Sequence, residues 1–165
     1  MSIEAVHLRL RQGLLKNPRG YEWRISQLKA LKQLLIENNE ALCQAMWQDL
    51  RKSSFECEAT EQGIVLAEIQ NTMRNLKKWM RPQKVSTPLY NQPGQSKIIY
   101  EPYGLALIIG AWNYPINLTL APLVGAIAGG NAAIIKPSEV SAHTSKLLSA
   151  LVAKYLDSKI GRAHV

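Results

Sequence analysis

Cysteine is scarce in this chain. Its 165 residues hold two, Cys43 and Cys57, with no CxxC pair and no metal-ligand spacing between them. Neither a disulfide framework nor a metal site is suggested. The opening stretch MSIEAVHLRLRQ has no apolar h-region, so it does not read as a signal peptide. No uninterrupted apolar run approaches the roughly 20 residues needed to span a bilayer. Internal repeats and low-complexity segments are missing too. Together these absences lead us to expect a soluble protein of the reducing cytoplasm.

The formal charge is +8, but the basic residues are scattered. The densest group, Arg74, Lys77, Lys78, Arg81 and Lys84, falls at the end of a helical pattern, where cations complement the helix dipole. No recognition module accompanies them, so no nucleic-acid partner is expected. An apolar fraction of 47% and a charged fraction of 19% are those of a globular chain able to bury a core. The length suits one modest domain or part of a larger one.

Between residues 23 and 50 the apolar residues Ile25, Leu28, Leu31, Leu35, Leu42, Ala45 and Met46 recur at three- and four-residue steps. That spacing predicts an amphipathic helix, broken near Asn38 and Asn39. Leu66, Ile69, Met73, Leu76 and Met80 predict a second, which Pro82 stops. With a short helix before them they make residues 1–84 a helical region. Residues 85–103 carry Pro88, Pro93-Gly94 and Pro102 among β-favouring residues, and predict extended arms joined by a turn over residues 91–94. Such arms suit either a partner chain or a surface hairpin.

Residues 104–158 change pattern again. LALII at residues 105–109 is a continuous apolar run of strand length, suited to a sheet buried on both faces. A helix through Leu118, Leu120, Leu123 and Ile127 follows, with Pro115 at its entry, Pro122 inside it and Gly129-Gly130 as its stop. AAIIK is a second buried strand, and a third helix covers residues 142–155. This is a βαβα order, with parallel strands and a right-handed crossover.

Ligands of an open parallel sheet bind outside the carboxyl ends of its strands. Trp112 and Asn113 stand at one such end, in GAWNYP, and Lys136, Ser138 and Glu139 stand at the other. Both sets should face one crevice. An amide at a strand mouth can hold a developing oxyanion, although asparagine also serves in turns. Lys136 and Glu139 suit a ribose, with an ammonium to donate and a carboxylate to accept. A helix start, with Ser138 as cap and Glu139 in the first turn, explains them equally well. The phosphate fingerprint G-x-G-x-x-G is absent after the first strand, so any pyrophosphate is held in another way.

The run LALIIGAWNYPINLTLAPLVGAIAGGNAAIIKPSE resembles the N-terminal part of the aldehyde dehydrogenase superfamily. The WNYP variant, the short N-terminal region and EPYGLALIIG resemble its class 3 branch, the fatty, aromatic and coniferyl aldehyde dehydrogenases. The resemblance covers residues 5–158, and is most specific over residues 101–139. It implies an α/β fold in which N-terminal helices precede an incomplete Rossmann-like parallel βαβ cofactor-binding domain. It implies NAD or NADP as cofactor, an aldehyde as substrate and a homodimer in a full-length parent. Residue by residue, it assigns Asn113 to stabilising the thiohemiacetal oxyanion, Lys136 and Glu139 to the adenosine ribose, and Ile109 and Trp112 to the cofactor pocket.

The family's catalytic cysteine and general-base glutamate match positions beyond Val165, so the segment alone is expected to be inactive. Cys43 and Cys57 are not expected to replace them. Cys57, in FECEA, has carboxylates beside it that would raise its pKa. Two other readings stay open: a non-catalytic dinucleotide-binding or assembly module, and a semialdehyde dehydrogenase of the same superfamily. Residues 159–165 leave the family pattern. Residues 160–165 can be encoded by ATC GGA AGA GCA CAC GTC, which resembles the start of a common sequencing adapter. The expectation is therefore a non-native tail, and a sheet of about two strands.

Overall fold

The computed structural model describes residues 19–158 and 160–162. The early short helix expected before residue 19, and residues 159 and 163–165 of the expected tail, lie outside them. The first long helix is broken where the sequence places the break. Helix α1 (Tyr21–Glu37) buries Leu28, Leu31, Leu34 and Leu35, and α2 (Asn39–Leu50) buries Leu42, Cys43, Ala45 and Met46. Between them, the Asn38 side chain donates to the Leu34 carbonyl at 2.8 Å, competing with the helix ladder. Arg51 closes α2 in the left-handed conformation, with φ 57°, and its N–H returns to the Trp47 carbonyl.

The chain then makes a helix that periodicity did not reveal. Helix α3 (Ser54–Cys57) is capped by Ser53, whose hydroxyl accepts from the Glu56 N–H at 3.2 Å. It widens into a π turn (Glu58–Gln62), which Gly63 closes by donating to the Glu58 carbonyl. A Cβ on Gly63 would meet that oxygen at 2.7 Å, which favours glycine there. Helix α4 (Gly63–Trp79) follows and buries Val65, Ile69, Thr72 and Leu76.

The proline-marked segment forms a small antiparallel hairpin of β1 (Gln83–Val85) and β2 (Ser96–Ile98). At its tip Leu89 and Tyr90 are almost fully exposed. Beyond it lies a parallel sheet in the order β3-β4-β5, formed by β3 (Leu105–Ile109), β4 (Ala132–Lys136) and β5 (Ile160–Arg162). Helix α5 (Asn117–Ala128) links β3 to β4, and α6 (Ala142–Tyr155) precedes β5. The sheet therefore has three strands where the sequence led us to expect about two. Ile160 pairs with Ala133 and is buried, so an apolar residue covers what would otherwise be an open edge of β4.

Two right-handed crossovers advancing in one direction across the sheet put α5 and α6 on the same face. Ile108, Ala133, Ile135 and Ile160 point into that face and join Leu120, Leu123, Val124, Leu148 and Val152 in one core with the N-terminal helices. Each buried Ile, Leu or Val among them is worth about 1.5–3 kcal/mol of transfer free energy. The opposite face corrects the expectation for LALII: Leu107 and Ile109 are 63% and 66% exposed, so β3 is covered on one face only. Helix α5 runs through Pro122 and stops at Gly130, whose φ of +76° suits glycine. A Cβ there would also strike the Arg24 guanidinium, which donates to the Ala128 carbonyl at 2.7 Å.

Candidate functional site

Strands β3 and β4 end level. Ile109 and Lys136 are register partners, and the Gly110 N–H donates to the Lys136 carbonyl at 2.9 Å. The loops after them therefore leave the same edge of the sheet, the carboxyl edge where open parallel sheets take their ligands. Gly110 lets the first loop turn close to α5, since a Cβ on it would collide with the Thr119 hydroxyl.

The backbone of this first loop is held from three sides. The Trp112 carbonyl accepts from the Ser141 hydroxyl at 2.7 Å, which ties it to the loop after β4. The Asn113 carbonyl accepts from the Lys52 ammonium at 2.8 Å, and the same ammonium sits 3.7 Å from the centre of the Tyr114 ring. Glu61 takes the other end, its Oε2 accepting from the N–H groups of Ile116 at 3.0 Å and Asn117 at 2.9 Å. These are orphan donors at the start of α5, and a carboxylate there also complements the helix dipole. Lys52 and Glu61 pair with each other at 2.8 Å, with the Glu61 side chain fully buried. The Asn113 residue itself is exposed, and its side-chain amide has no hydrogen-bond partner among the described residues.

On the second loop, Lys136 and Glu139 form an ion pair at 2.6 Å, with their side chains 27% and 80% exposed. The hydrogen bond from Lys136 holds the Glu139 carboxyl below the usual carboxylate range. Helix α6 begins only at Ala142, so neither Ser138 nor Glu139 lies at its start, and that reading is corrected. The cap comes from Asp49 at the end of α2, whose carboxylate accepts from His143 N–H at 3.0 Å and Thr144 N–H at 2.8 Å. Ser138 makes only a local contact, accepting from the Val140 N–H at 3.3 Å. Trp112 is about half exposed beside this edge. Two hollows, of about 530 and 510 Å³, are lined by other residues, and none of Ile109, Trp112, Asn113, Lys136 or Glu139 lines either. The site is an open edge.

Cys43 and Cys57 are buried among the N-terminal helices, where Gln62 Nε2 reaches both sulfurs at 3.4 Å. Burial first, and the nearby Cys43 thiol after it, push the Cys57 thiol up to about 12. The direction agrees with the sequence reading, but the cause differs. Glu61 is the one carboxylate that contributes, and it contributes least. Among the described residues no group of three His, Cys, Asp or Glu is placed to hold a metal ion, and no helix is long and apolar enough to cross a membrane.

The sequence reading missed Asp49, Lys52, Glu61 and Ser141. One signal was present for Glu61. Cys57, Glu61, Val65, Ile69, Thr72 and Leu76 form a buried stripe at helical spacing, and a carboxylate within it asks for a partner.

Residues 19–159 match the model of the family described as "Aldehyde dehydrogenase family". Mouse aldehyde dehydrogenase family 3 member B1 is 50% identical over 139 residues, which cover 84% of this chain and 30% of that protein. The family 3 protein comG of Dictyostelium discoideum is 45% identical over 144 residues, 87% of this chain and 31% of its own. Among solved structures, a substrate-bound state of Staphylococcus aureus AldH superposes with a TM-score of 0.94 at 35% identity, over 99% of this chain and 36% of that one. A Streptococcus pyogenes succinic semialdehyde dehydrogenase in complex with NADP+ shares the fold, with a TM-score of 0.80 at 18% identity over 96% of this chain and 34% of that one. The chain spans about a third of the length of these relatives.

Proposed function

The chain belongs to the aldehyde dehydrogenase family, and on that premise we propose that it forms part of an NAD- or NADP-dependent enzyme that oxidises an apolar aldehyde to its carboxylic acid. The observation that carries this reading is the shared edge. Asn113 and the Lys136–Glu139 pair leave level strand ends, and Ser141 ties their loops together. Residues 104–158 are then the first part of the dinucleotide-binding domain.

The donor set at that edge fits a ribose. An ammonium and a carboxylate lie side by side with solvent access, so one can donate to a hydroxyl oxygen and the other accept its proton. Ile109 and Trp112 offer exposed apolar surface next to them. The cofactor supplies the hydride acceptor when bound. The residues of this segment hold it and steady charge. Asn113 presents its side-chain N–H₂ to the aldehyde oxygen as negative charge develops there. That interaction is stronger in the transition state than in the ground state, and so raises kcat. The nucleophile and the general base come from outside this segment, so the segment alone neither oxidises aldehydes nor binds cofactor tightly. Cys57 is no substitute, because a thiol held up to about 12 is almost wholly protonated near neutral pH. The class 3 resemblance supports a fatty or aromatic substrate, a second copy of the chain as partner and a cytoplasmic location.

The test is a steady-state assay of a full-length enzyme carrying this segment, across aliphatic and aromatic aldehydes with NAD and NADP. Lys136→Ala and Glu139→Ala should raise KM for the cofactor far more than KM for the aldehyde. Absence of turnover with every aldehyde, or unchanged cofactor binding in both variants, overturns the reading.

A further inference from the structure

Packing does not account for the Lys52–Glu61 pair. Removing two charges from water is expensive, and apolar residues of similar volume often serve stability as well. Yet the Glu61 carboxylate is fully buried and the Lys52 side chain only 11% exposed, 2.8 Å apart, and both spend their remaining hydrogen bonds on one loop. The ammonium has three donors: one meets Glu61 Oε1, one meets the Asn113 carbonyl, and Tyr114 offers its ring face to the same nitrogen. The carboxylate divides its oxygens between Lys52 and the N–H groups of Ile116 and Asn117. The π turn makes this geometry available. Its widened ladder leaves the adjacent residues Glu61 and Gln62 both buried, at 0% and 3% exposure. Single π turns inside helices are frequent at functional sites.

We propose that Lys52 and Glu61 are positioning residues that aim the Asn113 amide, Lys52 by fixing its carbonyl oxygen and Glu61 by fixing the backbone three and four residues on. This rests on the reading of Asn113 as an oxyanion donor. With the peptide held on both sides, only the two side-chain torsions of Asn113 remain to be set. The amide then starts from a fixed Cα–Cβ bond and reaches the substrate oxygen through a few staggered rotamers, with no partner of its own to give up. Such pre-setting is what an electrostatic donor requires, because reorientation during the reaction would cancel its benefit.

The test uses a full-length enzyme carrying this segment, with the variants Lys52→Met, Lys52→Arg, Glu61→Gln and Asn113→Ala and the double variant Lys52→Met/Asn113→Ala. Lys52→Met and Glu61→Gln should each lower kcat by roughly 10–100-fold, as expected for a displacement of about 1 Å, with cofactor Kd unchanged. Lys52→Arg, which keeps a cation and donors, should retain more kcat than Lys52→Met. The double variant should be no slower than Asn113→Ala alone, because the clamp acts only through that amide. Full kcat in both clamp variants, a cofactor Kd that weakens in step with kcat, or losses that multiply with Asn113→Ala would each overturn the proposal. If neither clamp variant folds, the pair is a stability element and the proposal also falls. A slow Asn113→Ala with multiplying losses sinks the clamp alone. An Asn113→Ala enzyme with full kcat sinks the oxyanion reading beneath it.

Discussion

The carboxylate of Asp49 caps a helix 95 residues further along the chain, accepting from the Thr144 N–H at 2.8 Å and from its neighbour His143. Helix α6 has no cap hydrogen bond from its own Ser141, whose hydroxyl is turned to Trp112. Asp49→Ala leaves two orphan donors at the start of α6, so it should destabilise the fold by about 0.5–2 kcal/mol, the usual range for a lost cap. Thermal unfolding of wild type and variant checks this, and Asp49→Asn should recover part of the loss. An unchanged melting temperature would mean that water caps α6 equally well.

Gly110 and Thr119 make a second, independent pair. A methyl at position 110 collides with the Thr119 hydroxyl, so Gly110→Ala should destabilise by about 1–3 kcal/mol, as overpacking does. The Thr119 hydroxyl is buried with no hydrogen-bond partner among the described residues. Thr119→Val should therefore be neutral or stabilising by about 1 kcal/mol, because it removes an unsatisfied polar group. Thr119→Ala should rescue most of the Gly110→Ala loss. Strictly additive effects in denaturant titrations would contradict the contact.

How much of this could be read beforehand depends on what kind of signal each feature leaves. Strands β3 and β4 with α5 and α6 were legible because local chemistry marks them: apolar runs of strand length, Pro115 at one turn and Gly130 at another. Helix α3 and the π turn were not, since four helical residues and a widened turn carry no full period. Lys52 carries no local signal in the sequence. Its partners Glu61 and Asn113 stand 9 and 61 residues away, and no local pattern records a contact of that kind. The open face of β3 was misjudged for a related reason: LALII states that a strand is apolar, while Leu107 and Ile109 are exposed because no described element covers them.

Cys57 gives a pH prediction. Its thiol is pushed from the ordinary 9.0 up to about 12, mainly by burial, so the folded chain keeps a proton that the unfolded chain releases. The unfolded state then binds fewer protons between these two values, and stability falls as pH rises through that window. The contribution is fully present below about pH 9 and is lost on the way to about 12. Cys57→Ala should flatten the alkaline part of the stability profile, measured by denaturant midpoints at stepped pH. Thiol reagents at pH 8 should also leave Cys57 unmodified in the folded state. Rapid labelling there would contradict the burial.

The central claim is that the Asn113 amide, on a clamped loop at the carboxyl edge of the sheet, stabilises negative charge on the substrate oxygen. The most direct measurement is the kinetics of Asn113→Ala in a full-length enzyme carrying this segment. The hydrogen bond it removes forms as charge develops, so kcat should fall by roughly 10²–10³-fold while KM for the aldehyde changes little. A variant that keeps its kcat and only binds substrate more weakly would contradict the account.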